Sequence, residues 1–257
     1  LGRGLVADPY IAKKALEGSE EDITPCLRCY ECFGATGQLE IIKCTVNPKQ
    51  GQQIQGAEPL LEPKRQKKVL VIGGGPGGME AAITAAGRGH KVTLVEKSDK
   101  LGGNLHPAGA PYFKEDIRKL CHVLTRRVEQ AGVTVVMNTE ATPEYVRDFE
   151  PDALIVAVGS LELRPPIPGI DGENVVMAIE AELHPERLGK RVAIMGGGLV
   201  GAEAACSFFH EGHQVSIVEM KDDIAMEVNS FYRGGLMPHV QESAAIYVKT
   251  KVKAITP

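Results

Sequence analysis

Cys26, Cys29, Cys32 and Cys44 fall in one short run, CLRCYECFGATGQLEIIKC. Thiolates are metal ligands, and their spacing favours one metal over another. Tetrahedral zinc usually takes two separate C-x2-C pairs, each giving two thiolates to one ion. Three thiolates in a C-x2-C-x2-C loop suit a cubane better, because each can reach a different iron while a fourth ligand arrives from farther along, as Cys44 does. The expectation is a [4Fe–4S] cluster on these four residues, with zinc, or no metal, as the alternatives. Disulfide frameworks belong to small secreted domains, and the opening Leu1-Gly2-Arg3 does not read as a secretory leader. The other two cysteines, Cys121 and Cys206, sit in helical patterns and read as buried small hydrophobes.

Two glycine clusters form the second chemical signal. The first, Gly73-x-Gly75-x-x-Gly78, follows the apolar run Val69-Leu70-Val71-Ile72 and opens a helical pattern. Gly73 permits a tight turn, Gly75 lets a pyrophosphate approach the backbone, and Gly78 lets the helix pack close to the strand. The helix N-terminus offers N–H groups and a positive dipole end to phosphates. Glu96 ends the next strand, where a carboxylate accepts hydrogen bonds from ribose hydroxyls. The second cluster, Gly196-x-Gly198-x-x-Gly201 with Glu219, repeats this layout. The plainer alternative for either copy is a glycine turn that packs helix on sheet and binds nothing, and a duplicated domain can keep its fold while losing its ligand.

The elements that would position these residues repeat as well. VLVIGGGPGGMEAAITAAGRGHKVTLVEK (69–97) and VAIMGGGLVGAEAACSFFHEGHQVSIVEM (192–220) align almost without gaps, so two βαβ units of one type are expected. Between them, Ile117, Leu120, Leu124 and Val128 predict a helix over Phe113 to Ala131 that stops at Gly132. Val133 to Met137 and Ala153 to Val158 read as strands, and Ile11, Ala15 and Leu16 as a short helix. Lys64-Arg65-Gln66-Lys67-Lys68 reads as a solvated linker. A formal charge of −4 gives no basic field for nucleic acid, and no stretch approaches the ~20 apolar residues of a membrane span.

In combination, these motifs carry a family resemblance. The four-cysteine run closing on Cys44-Thr45-Val46-Asn47-Pro48, the basic linker, VLVIGGGPGGMEAA with Glu96, and Leu101-Gly102-Gly103-Asn104-Leu105 resemble the dienoyl-CoA reductase, enoate reductase and trimethylamine dehydrogenase group. These are iron–sulfur flavoenzymes of the old yellow enzyme superfamily. The opening, Leu1-Gly2-Arg3-Gly4 with Ala7-Asp8-Pro9, resembles the tail of that family's (β/α)8 barrel, where Gly2 and Arg3 would help hold an FMN phosphate. The cysteine spacing is closer to the amine dehydrogenases than to the bacterial dienoyl-CoA reductases. Almost all of the barrel is absent, so the chain is expected to be a C-terminal fragment of a longer enzyme.

The resemblance implies an α/β fold with two Rossmann-like dinucleotide-binding domains of the disulfide-reductase type, preceded by a small iron–sulfur loop region. Residues 1–25 would be the barrel tail, 26–63 the cluster loop and linker, 64–165 the first part of an FAD-binding domain, and 166–257 an NAD(P)-binding domain. FAD would lie on Gly73, Gly75, Pro76, Gly77 and Gly78, with Glu96 and the adjoining Lys97 at its ribose, Gly102, Gly103, Asn104 and Leu105 near its ring, and Ala157 and Gly159 at the turn toward the inserted domain. NADH or NADPH would lie on Gly196, Gly198, Val200, Gly201 and Glu219; the Glu219 carboxylate favours NADH. No catalytic residue is assigned within the chain. The implied activity is the electron-input portion of an NAD(P)H-dependent oxidoreductase: electrons pass through FAD and the cluster to FMN in the missing barrel and an activated alkene. One alternative runs outward, as in an amine dehydrogenase with ADP in the first site; another is a nucleotide-binding module without turnover. A cytoplasmic location is expected.

Overall fold

A computed structural model describes residues 2–51 and 65–257. Leu1 and the linker stretch 52–64, with Lys64 of the basic run, lie outside the described residues. Three short helices come first: α1 (Gly2–Ala7), α2 (Ile11–Leu16) and α3 (Glu31–Gly37). The chain then divides into two compact units that do not follow it in simple order.

The first unit holds Leu1–Arg28, Lys43–Gly109 and Glu115–Ser160. Its elements after the short helices are β1 (Lys68–Ile72), α4 (Pro76–Gly87), β2 (Lys91–Val95), α5 (Leu105–Ala108), α6 (Glu115–Gln130), β3 (Thr134–Val136), α7 (Pro143–Phe149) and β4 (Ala153–Val156). The four strands form one parallel sheet in the order β3-β2-β1-β4. Val69, Leu70 and Val71 of central β1 are buried, as an apolar run covered on both faces requires. Helix α6 lays Leu120, Val123, Leu124 and Val128 into this core and ends before Gly132, at φ +69°. It starts at Glu115 rather than Phe113, and residues Ala110–Lys114 belong to the second unit. Helix α7 starts where Thr142 Oγ1 accepts the Tyr145 N–H and Pro143 takes the first turn.

The second unit holds Cys29–Ile42, Ala110–Lys114 and Leu161–Pro257. It contains α3, then α8 (Ala178–Leu183), β5 (Arg191–Met195), α9 (Leu199–His210), β6 (Gln214–Val218), α10 (Ser230–Ser243) and β7 (Ala244–Tyr247). Its parallel sheet runs β5-β6-β7. Helix α9 buries Ala202, Ala204, Ala205, Cys206, Ser207 and Phe208, small residues for the most part, which lets it lie close to the sheet. Cys206 is buried and Cys121 half-buried, and burial pushes both thiols up. Among the described residues no helix is long and apolar enough to cross a membrane.

Candidate dinucleotide sites and the cysteine run

In the first unit the chain turns from β1 into α4 over Gly73, Gly74 and Gly75. Gly73 has φ +102°, and a Cβ there would lie 2.3 Å from the Ala157 carbonyl oxygen. A Cβ on Gly78 would lie 1.8 Å from the Gly73 oxygen, so side chains at either position would push α4 off the sheet. Around Gly75 and Gly77, by contrast, a Cβ would meet nothing within 4 Å. The turn is therefore tight on its packed side and open on the other, and no side chain caps α4 at Gly75. Ala157 extends β4, its N–H donating to Ile72 O at 2.8 Å. Gly159 follows at φ +72°.

Glu96 is buried, and its carboxylate braces this turn. Oε2 accepts the Gly74 N–H at 2.6 Å, and Oε1 accepts the Ser98 N–H and hydroxyl, each at 2.8 Å. Burial works to raise its pKa, but these donors and the nearby charge of Lys97 hold it below the ordinary carboxylate range. The segment after β2 closes over the turn: the Gly102 N–H donates to Gly74 O at 2.8 Å, Leu101 packs against Gly74, and Gly103 lies beside Gly75. Asn104 precedes the first turn of α5, and Leu105 packs on the core of the unit.

The second unit repeats the device. Gly196 has φ +105°, and a Cβ on Gly201 would lie 2.1 Å from the Gly196 oxygen. Glu219, also buried, accepts the Gly197 N–H at 2.7 Å and the Lys221 N–H at 2.7 Å. Burial again raises its pKa, and the two N–H groups with the Lys221 charge bring it below the ordinary range. Ile224 packs against Gly197 as Leu101 does against Gly74, and the Ala225 N–H donates to Gly197 O at 2.6 Å. The repeat thus runs past the stretch visible by alignment, into Leu101-Gly102-Gly103-Asn104 and Ile224-Ala225-Met226-Glu227. One difference follows. Glu227 Oε1 accepts the Leu199 N–H at 2.6 Å and would lie 2.9 Å from a Cβ on Gly198. Val200, one residue farther on, is exposed. Residue type alone marks neither Ser98 nor Glu227; alignment of the loops that follow β2 and β6 marks Glu227.

The four clustered cysteines are half-buried and in no disulfide. Cys26 and Cys44 belong to the first unit, and Cys29 and Cys32 to the second. Arg28 and Tyr30, between the first three cysteines, take left-handed backbone (φ 56° and 60°), which curls the loop tightly. Thiols of this number suit an iron–sulfur cluster by type. Among the described residues, however, no three His, Cys, Asp or Glu side chains are gathered to hold a metal ion. In the first unit Gly2, Arg3, Gly4, Cys26, Arg28, Glu115 and Asp116 line a cavity of about 470 Å³, with Arg28 paired to Asp116 at 2.6 Å. Asn47, bridged to Cys44, donates to Val6 O of α1 at 2.9 Å. In the second unit Asn229 Nδ2 donates to Cys29 O at 2.9 Å and to Glu31 at 2.8 Å, while its Oδ1 caps α10 at Tyr232. Phe33 meets Phe231 edge to face, fixing α3 against α10.

Residues 31–147 and 67–257 match the family described as pyridine nucleotide-disulphide oxidoreductase. The chain belongs to that family. It is 40% identical over 225 residues to cinnamate reductase of Clostridium sporogenes, covering 87% of this chain and 33% of that protein. It is 39% identical over 246 residues to NADH oxidase of Thermoanaerobacter brockii, covering 92% and 37%. The solved structure of 2-naphthoyl-CoA reductase in complex with 2-naphthoyl-CoA superposes with a TM-score of 0.91 at 32% identity, covering 99% of this chain and 39% of that one. The chain thus spans between a third and two-fifths of the length of these relatives. They bear out the resemblance to the flavin and iron–sulfur group, and the chain has the α/β fold of the pyridine nucleotide-disulphide oxidoreductases.

Proposed function

We propose that this chain is the electron-input portion of a longer enzyme that reduces an activated alkene of the enoate or dienoyl-CoA type. The observation that carries the reading is the duplicated brace: in each unit a buried glutamate holds the middle glycine of the turn, Gly74 or Gly197, that leads from strand into helix. FAD fits the first turn, where Gly75 and Gly77 leave room for pyrophosphate and the α4 N-terminus carries no side-chain cap. Gly73, Pro76 and Gly78 shape that turn, Glu96 and Lys97 face the ribose, and Gly102, Gly103, Asn104, Leu105, Ala157 and Gly159 form the border toward the ring. A nicotinamide dinucleotide fits the second turn on Gly196, Gly198, Val200, Gly201 and Glu219. Bound together, the two cofactors supply hydride transfer and its conversion into single electrons.

Cys26, Cys29, Cys32 and Cys44 are assigned to a [4Fe–4S] cluster from their types and spacing, and Gly2 and Arg3 to an FMN phosphate. Residues 26–63, 64–165 and 166–257 serve as cluster loop, flavin domain and nicotinamide domain. A relative named cinnamate reductase supports a conjugated alkene as substrate, one named 2-naphthoyl-CoA reductase supports a conjugated acyl-CoA, and one named NADH oxidase supports the donor.

Anaerobically prepared protein, analysed for iron, labile sulfide and flavin, tests the assignment. Flavin bands with a broad iron–sulfur shoulder and bleaching by NADH are expected. Stoichiometric zinc without sulfide overturns the cluster, and a shoulder without flavin turns the reading toward an amine dehydrogenase.

A further inference from the structure

The two glycine turns differ at one point, and the difference concerns charge. At the first, a Cβ on Gly75 would meet nothing within 4 Å; at the equivalent Gly198, the Glu227 carboxylate stands in that space. Its Oε1 holds the Leu199 N–H, the first of α9, at 2.6 Å. Backbone N–H groups at a helix N-terminus are what a dinucleotide pyrophosphate takes, and a carboxylate satisfies them with like charge.

Glu227 is held there by its surroundings. Ile224 and Ala225 are buried, and the Ala225 N–H is bonded to Gly197 O. Two residues beyond Glu227, Asn229 caps α10. The backbone on either side is therefore fixed over the turn. The Glu227 side chain is itself solvent-exposed, so it leaves by rotation alone. In the first unit the equivalent position holds Asn104, which is uncharged.

We infer that Glu227 is an internal competitor for the second nucleotide site: the pyrophosphate must displace its carboxylate from Leu199, which lowers coenzyme affinity and sets it by a single side chain. The inference rests on the second turn being the nicotinamide site. A hydrogen bond to an exposed charged group at a helix end, together with repulsion of an incoming anion, amounts to a factor of about three to ten in affinity.

The test is calorimetric or NMR titration of the whole chain with ADP-ribose, which carries the pyrophosphate, and with adenosine, which carries no phosphate. Glu227→Ala is expected to tighten ADP-ribose about three- to tenfold, and Glu227→Gln by less, since its amide oxygen keeps the hydrogen bond without the charge. Adenosine should bind all three proteins alike, and the gain should shrink at high salt. Equal or weaker ADP-ribose binding by Glu227→Ala overturns the inference while the site stands. An equal gain for adenosine also overturns it, since it would mark a general loosening of the pocket. If wild type and variants all fail to bind ADP-ribose at millimolar concentration, the second turn is no nucleotide site, and that reading and the inference fall together.

Discussion

Glu219→Gln separates two jobs that one carboxylate performs. Both oxygens accept backbone N–H groups, from Gly197 and Lys221, each at 2.7 Å. Glutamine offers one acceptor and one donor, so one of those N–H groups would face an NH₂. Losing a charge-assisted bond and leaving a buried donor unpaired costs about 2–3 kcal/mol. In a two-domain chain of this size that lowers Tm by about 5–10 °C. The same substitution removes a negative charge from the proposed ribose position. A carboxylate about 4 Å from a 2′-phosphate is repelled by about 1 kcal/mol per unit charge even in water. NADPH binding should therefore improve about five- to twentyfold relative to NADH, starting from the NADH preference proposed for the wild type. Thermal melts report the first effect and parallel titrations with NADH and NADPH the second. A Tm within about 1–2 °C of wild type would refute the brace, and an unchanged coenzyme ratio would refute the ribose assignment. Glu219→Ala loses both bonds, and is the poorer probe of preference because the turn itself is disturbed.

Other expectations follow from single contacts. Gly78→Ala and Gly201→Ala place a Cβ 1.8 Å and 2.1 Å from a carbonyl oxygen, so each should abolish nucleotide binding at its own turn or prevent folding of its unit, read by titration and circular dichroism. Burial, then the charges of Glu211 and Glu203, push the Glu182 carboxyl up to about 7, against the relief offered by Ser207 and Lys114. Its folded pKa exceeds its unfolded one, so stability falls as pH rises from about 4.5 to 7 and is flat above; the loss is on the order of 1–3 kcal/mol, and Glu182→Gln should flatten the Tm profile in that window. Asn229→Ala removes the α10 cap and the tether to Cys29, for about 1–2 kcal/mol, and should raise amide exchange in residues 29–37 more than in β5 and β6.

Much of this arrangement is readable in sequence because it depends on local periods and fixed offsets. The run Val69 to Ile72 states a buried strand, and each glycine turn fixes where its glutamate falls, since the intervening helix and strand have the same length in both copies. What escapes is whatever depends on a loop folding back. Ala225 takes φ +50° where the first copy has glycine, held by the buried Ile224 and the bond to Gly197, and no residue-type rule announces it. Lys114 reads as part of the α6 pattern, yet it precedes the helix and bonds to Glu203 and, at 2.9 Å, to the Tyr232 hydroxyl. Burial and the Glu203 carboxylate raise that phenol well above its usual range. The cysteine spacing is plain in the chain, whereas the asparagine that anchors Cys29 lies too far away to be paired with it by inspection.

That separation has a consequence for how the protein is made. The bond from Asn229 to Cys29 closes a span of 200 residues. At ribosomal rates of about 5–20 residues per second, roughly 10–40 s pass between the emergence of Cys29 and that of its tether. Through that interval Cys26, Cys29 and Cys32 are already outside the ribosome, while the amide and aromatic contacts that fix α3 have yet to be synthesised. If the thiols take the proposed cluster, metal delivered early would meet a loop still without its anchor, and metal delivered late would meet one already pinned to α10. The timing of translation therefore bears on which species the thiols encounter first.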